Sequence, residues 1–161
     1  MPYPPDYGGV FDLYYKLRYL KERDIKIILH CFEYGRGEQP VLNNYCEQVY
    51  YYKRKQGIRS LSLTIPYIVN SRNDRALLNN LSHDNYPVLL EGTHCTLLLW
   101  KNALPNRKVM LRLHNIESDY YRLMAEKTGS FFGKLYYRNE SRLLNRYEHA
   151  VAKKADSVLT V

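Results

Sequence analysis

Residues 109–121 read VMLRLHNIESDYY, and their reading decides the fold class. Val109–Leu113 is an apolar run of strand length, which fits a strand buried on both faces. The run gives way to a polar step at His114 and Asn115, and residues 117–128 then read as a helix. A short buried strand passing straight into a helix is the repeating unit of a parallel sheet. The same alternation continues on either side. PVLLE (87–91) is another buried strand, followed by a turn at Gly92 and a helix through Trp100 with Thr93 as its cap. Beyond Gly129 and Ser130 lies a long helix, 131–154, and SVLTV (157–161) reads as one more strand.

Toward the N-terminus, MPYPPDYGG (1–9) holds three prolines and a glycine pair and suits neither helix nor ladder strand. Val10, Leu13, Tyr14, Leu17 and Leu20 then recur at helical spacing, with Lys21 and Arg23 placed in the last turn, where cations favour the helix dipole. IKIILHCF (25–32) is a strand buried on both faces, 34–46 a polar loop, and 49–52 a short strand running into Lys53, Arg54 and Lys55. Residues 61–72, apolar around Pro66, take no assignment. Asn73 or Asp74 caps a helix to about Leu81. The expectation is a single domain over 1–161 of α/β class: a Rossmann-like parallel sheet flanked by helices.

Composition narrows the partners. Seventeen of the 161 residues are tyrosine, against four Phe and one Trp. Tyrosine buries a ring while its hydroxyl stays wet, which suits half-buried walls. A formal charge of +8 favours anionic partners. The three cysteines, Cys31, Cys46 and Cys95, form no CxxC pair, so neither a zinc site nor a disulfide framework is expected, and a reducing compartment follows. The start of the chain lacks the basic segment and apolar core of a secretory leader, and no apolar stretch approaches the ~20 residues that span a bilayer. A cytoplasmic protein, peripheral at the inner membrane face, is the expectation.

In parallel α/β sheets, ligands bind beyond the C-terminal ends of the strands. Three segments qualify. Tyr7, Gly8 and Gly9 precede a helix, where backbone amides approach an anion closely or simply make a turn. Glu91 and His94 flank the turn after the PVLL strand, as site groups or as a cap and a surface histidine. His114, Asn115 and Glu117 bring imidazole, amide and carboxylate to the next strand end; His114 serves there as a proton acceptor or a structural residue, and Glu117 as a ligand or a first-turn cap. Along the last helix Lys134, Arg138, Arg142 and Arg146 recur every four residues opposite Phe132, Leu135, Tyr136, Leu143, Tyr147 and Val151, read as the core face. This basic stripe is a solvated face or a surface for anionic lipid.

YPPDYGGVFDLYYKLRYLKER, VLLEGTH, and VMLRLHNIESDYYRLMA with its long helix and KKADSVLTV together resemble the N-terminal domain of glycosyltransferase family 4, two-domain enzymes of GT-B type. The resemblance covers nearly the whole chain. It implies sugar transfer from a nucleotide sugar to a glycan or lipid-linked acceptor in polysaccharide biosynthesis, with no cofactor and no metal. It maps Gly8 and Gly9 beside the donor diphosphate and His114, the candidate catalytic residue, near the transferred sugar. Tyr7, Glu91, His94, Asn115 and Glu117 are then candidates for the acceptor or sugar. The chain departs from the family in lacking the apolar first strand ahead of the YPP–GG loop and the second, donor-binding domain. It is therefore expected to be inactive alone and prone to self-association through unpaired backbone. The rival expectation is a non-catalytic basic module that binds anionic lipid or glycan. No nucleic-acid motif is present, and no nucleic-acid partner is expected.

Overall fold

The computed structural model describes residues 1–6, 8–33 and 35–160. The chain forms two compact units, Met1–Arg54 and Lys55–Val161. Tyr7, and the last residue of the expected terminal strand, Val161, lie outside the described residues.

The first unit holds helix α1 (Gly8–Lys21), strand β1 (Ile28–Glu33), a 3-10 turn over Pro40–Asn44 and strand β2 (Gln48–Lys53). The strands pair in parallel, Ile28 opposite Gln48 and Glu33 opposite Lys53. Leu29, Val49 and Tyr51 come from one face of this pair, by the two-residue side-chain period of a strand, and pack with Leu17, Leu42 and Cys46 into a small core. Burial pushes the Cys46 thiol up to about 11, so it packs as an inert hydrophobe. The strand starts three residues later than its apolar run suggests. Asp24 takes a left-handed φ of 57°, and the Ile25 N–H closes onto the Leu20 carbonyl at 3.1 Å. That turn ends α1, leaves Ile25 46% exposed and puts Arg23 past the helix end.

The second unit begins with a 3-10 turn over Gly57–Ser60 and the short helix α2 (Tyr67–Asn70), the elements that the apolar run around Pro66 did not disclose. Helix α3 (Arg75–Leu81) starts at the expected cap: Asp74 Oδ1 accepts the Ala76 N–H at 2.8 Å. Strand β3 (Val88–Glu91), a 3-10 turn (Thr93–Cys95), helix α4 (Leu97–Trp100), strand β4 (Val109–Leu113), helices α5 (Glu117–Lys127) and α6 (Phe131–Ala152), and strand β5 (Ser157–Thr160) follow. The sheet order is β3-β4-β5, all parallel. Asp156 sets β5 in place, its N–H donating to the Val109 carbonyl at 2.9 Å and its carboxylate accepting the Val109 N–H at 2.6 Å. The fold class is thus as expected, a Rossmann-like α/β arrangement, with the strands among the described residues in two parallel sheets of two and three.

Two sequence expectations change. The segment 93–100 is not one helix capped by Thr93: a 3-10 turn precedes the four residues of α4, and neither start has a side-chain cap bond. The core face of α6 is Glu140, Leu144, Tyr147 and Val151, four positions at steps of four, three and four that share one stripe. Leu143 is only partly buried, while Phe132 and Leu135 stand 80% and 61% exposed. The apolar pattern was read one column too far around the helix because a glutamate occupies the core column.

Glu140 is 2% exposed. It is tolerated there because its Oε2 accepts the Tyr67 N–H at 2.7 Å, capping α2 from across the core. Burial raises its carboxyl above the ordinary range, against the opposing effect of the Tyr67 bond. A raised folded value means that the fold prefers the neutral acid. Its contribution is fully present below the unfolded value and is lost as pH rises through the folded one. Glu140→Gln keeps an acceptor oxygen without the charge. Urea midpoints should therefore show the variant gaining on the wild type as pH rises from the carboxylate range toward neutral; a constant difference would refute the ionised-acid account.

Candidate functional site

Strand register brings the central residues together. Glu91, the last residue of β3, lies opposite Arg112 in β4, and the Gly92 N–H extends the ladder to the Arg112 carbonyl at 2.8 Å. His114 lies two residues beyond Arg112 and so shares its face. The outcome is a cluster: His114 Nε2 stands 3.0 Å from Glu91 Oε2, and Arg112 Nη1 stands 3.4 Å from the same oxygen and 3.5 Å from the imidazole. Their side chains are 20% (Glu91), 14% (Arg112) and 23% (His114) exposed, neither dry nor fully wet. A carboxylate at this distance orients the ring and favours the proton on Nε2. Such a trio at a strand's C-terminal end can hydrogen-bond sugar hydroxyls, hold a proton on imidazole and meet an anion with guanidinium.

The turn beside it is built around glycine. Gly92 has a φ of 82°, and a Cβ there would come within 2.7 Å of the His94 ring. His94 therefore sits directly over the peptide that follows Glu91. Thr93 is 1% exposed, and its hydroxyl donates to Glu148 Oε1 at 3.2 Å instead of capping a helix.

Glu148, on α6, is the residue that sequence reading missed. The same carboxylate accepts the N–H of Glu117 at 2.9 Å and of Ser118 at 3.3 Å. It thus caps α5 and ties both candidate loops, 92–93 and 114–118, to one helix. Glu117 and Asp119 are the acidic residues of the first turn of α5, and the preceding residue, Ile116, makes no side-chain cap bond. Burial, followed by the Glu148 charge, raises the Glu117 carboxyl, with Arg72 opposing. Asn115 is exposed at the loop tip. Nothing in the sequence marked Glu148, which borders the core column of α6 at a position where a glutamate ordinarily faces water.

Gly8 and Gly9 belong to the first unit, where they are the exposed first residues of α1. Ahead of them Asp6 takes both oxygens to Arg36 Nη2, at 3.0 and 2.9 Å, and Arg36 Nη1 holds the Pro4 carbonyl at 3.0 Å. Lys134, Arg138, Arg142 and Arg146 all stand exposed on α6. The last two line an open groove with Ser118, Asp119 and Ser141. Among the described residues no three or more His, Cys, Asp or Glu side chains are grouped to hold a metal ion, and no helix is long and apolar enough to cross a membrane.

The chain is similar to a protein of Klebsiella pneumoniae described as an uncharacterized 44.6 kDa protein in the cps region. The two are 31% identical over 144 residues, which is 84% of this chain and 37% of that protein. The chain thus spans little more than a third of the relative's length. No family model matches the chain, and no solved structure matches it.

Replacing Glu148 by alanine strips three donors of their acceptor. A charge-assisted cap of this kind contributes about 2 kcal/mol, so Glu148→Ala should lower the urea-derived stability by that amount. Glu148→Gln, which offers one oxygen and turns an amide N–H toward other N–H groups, should recover only part. A loss under about 0.5 kcal/mol for the alanine variant, the size of an ordinary surface change, would remove the clamp from the account.

Proposed function

We propose that this chain is the acceptor-side domain of a sugar transferase acting in polysaccharide assembly, with Glu91, Arg112 and His114 at the reaction centre. The observation that carries the reading is the convergence of these groups at the C-terminal ends of adjacent parallel strands, the position at which such sheets hold ligands. In this reading His114 meets the sugar being transferred and accepts a hydrogen bond or proton from a hydroxyl, Glu91 fixes the ring, and Arg112 balances the charge. His94, Asn115 and Glu117 are the candidates to border the sugar or acceptor. Gly8 and Gly9 are the candidates for the donor diphosphate. Neither positive φ nor packing calls for glycine at those two positions, so close approach of a ligand supplies a reason for them. The sequence resemblance to family 4 glycosyltransferases supports the same assignment. So does the relative's place in a capsule polysaccharide (cps) region.

The competing reading is a basic module that binds an anionic glycan without chemistry; the Arg142–Arg146 groove favours it. Turnover separates the two. The protein expressed from its complete reading frame should release nucleoside diphosphate from one nucleotide sugar when an extract of lipid-linked acceptors from its source is supplied. His114→Ala should cut that rate by about 10²–10⁴, the usual worth of a positioned acid–base group, while its circular dichroism stays unchanged. Near-normal turnover in the variant would take His114 out of the chemistry. Saccharide binding without release from any nucleotide sugar would replace the transferase by the binding module.

A further inference from the structure

The N-terminal end of α6 departs from what a solvated helix presents. Phe131, Phe132 and Leu135 are 77%, 80% and 61% exposed, and the two phenylalanine rings lie 5.8 Å apart, edge to face. Helical spacing places Phe131, Leu135, Arg138 and Arg142 on one outward stripe, at steps of four, three and four, with Lys134 beside it. That stripe lies opposite the core column of Glu140, Leu144, Tyr147 and Val151. Lys134, Arg138 and Arg142 are all exposed, and none makes an ion pair among the described residues. The tip where α5 ends and α6 begins adds Lys127.

We propose that this face is a membrane-docking surface: Phe131, Phe132 and Leu135 enter the interfacial layer of an anionic bilayer while Lys127, Lys134, Arg138 and Arg142 meet its phosphates. Large apolar side chains held in water over neighbouring turns cost hydration with no return within the chain. Cations interleaved with them exclude a dry protein core as the natural cover, because each would need a buried partner. An anionic lipid surface satisfies both demands at once: it takes apolar groups to the depth of the headgroup–acyl boundary and offers a sheet of negative charge above it. No helix spans the bilayer in this account; α6 lies against it. The proposal is independent of the sugar-transfer reading and survives its failure.

Cosedimentation with vesicles tests it. The purified chain should pellet with phosphatidylglycerol-rich vesicles and stay in solution with phosphatidylcholine alone, and raising the salt to several times the physiological ~0.15 M should weaken binding. Phe131→Ser with Phe132→Ser, and separately Lys134→Glu with Arg138→Glu, should each reduce partitioning on the order of tenfold or more. All four side chains are exposed, so urea midpoints should stay at the wild-type value. Wild-type protein that ignores anionic vesicles overturns the proposal, as does a phenylalanine double variant that pellets as well as the wild type. A variant that turns a dimer into a monomer by sedimentation equilibrium, with vesicle partitioning unchanged, also overturns it and assigns the face to a second copy of the chain.

Discussion

One carboxylate, Glu148, holds the working end of the second unit together. Its two oxygens take the Glu117 and Ser118 amides and the Thr93 hydroxyl, so the loops that follow β3 and β4 are fixed to the same point on α6. Without it, the first amides of α5 would face a low-dielectric setting unpaired, a cost comparable to that of a lost hydrogen bond each. Glu140, two turns earlier on the same helix, performs the equivalent task for α2 through Tyr67. α6 therefore does more than cover the sheet. It supplies the acceptors that let two short, poorly capped helices end inside the unit, and those ends position the strand termini where Glu91, Arg112 and His114 meet.

The tyrosine richness has a similar logic. Tyr147 is 2% exposed and bonds the buried Thr96 hydroxyl at 3.0 Å; burial pushes its phenol up to about 12. In the first unit, Tyr14 and Tyr45 join hydroxyls at 3.1 Å, Tyr51 bonds the Gln39 backbone in both senses, and Tyr52 reaches His30 at 2.8 Å. A phenylalanine core would bury the same rings, but the hydroxyls specify which loop each ring holds.

What could be read from the sequence was what repeats locally. Short apolar runs located β3 and β4, an Asp cap located α3, and the polar-to-helical steps located α5 and α6, each to within a residue or two, because strands buried on both faces and helix starts write themselves into consecutive residues. His114 and Glu91 stood out as polar groups at the ends of apolar runs, and the register then joined them. Arg112 was visible in the same segment, but its partner depended on which residue of β3 lies opposite, a tertiary fact. Glu148 and Glu140 were illegible for the same reason: a glutamate in a helix normally faces water, and only the partners, 31 and 73 residues away, say otherwise. The misplacement of Phe132 and Leu135 in the core followed directly. An observer who moves Glu140 out to solvent must rotate the helix and bury the wrong column.

A Glu–Arg–His trio with side chains only 14–23% exposed contributes little to folding, since the cost of desolvating the charges offsets most of their mutual attraction. Val109 and Leu111, 2% and 0% exposed, fill the core from the opposite face of β4, since successive side chains of a strand alternate in direction. The division within β4 is therefore one of faces: Val109, Leu111 and Leu113 pack on the core, while Arg112 turns an ionisable group to the side where Glu91 and His114 stand. Stability accounts for the apolar face of β4, where Val109, Leu111 and Leu113 join the core; the charged trio on the other face adds little to it.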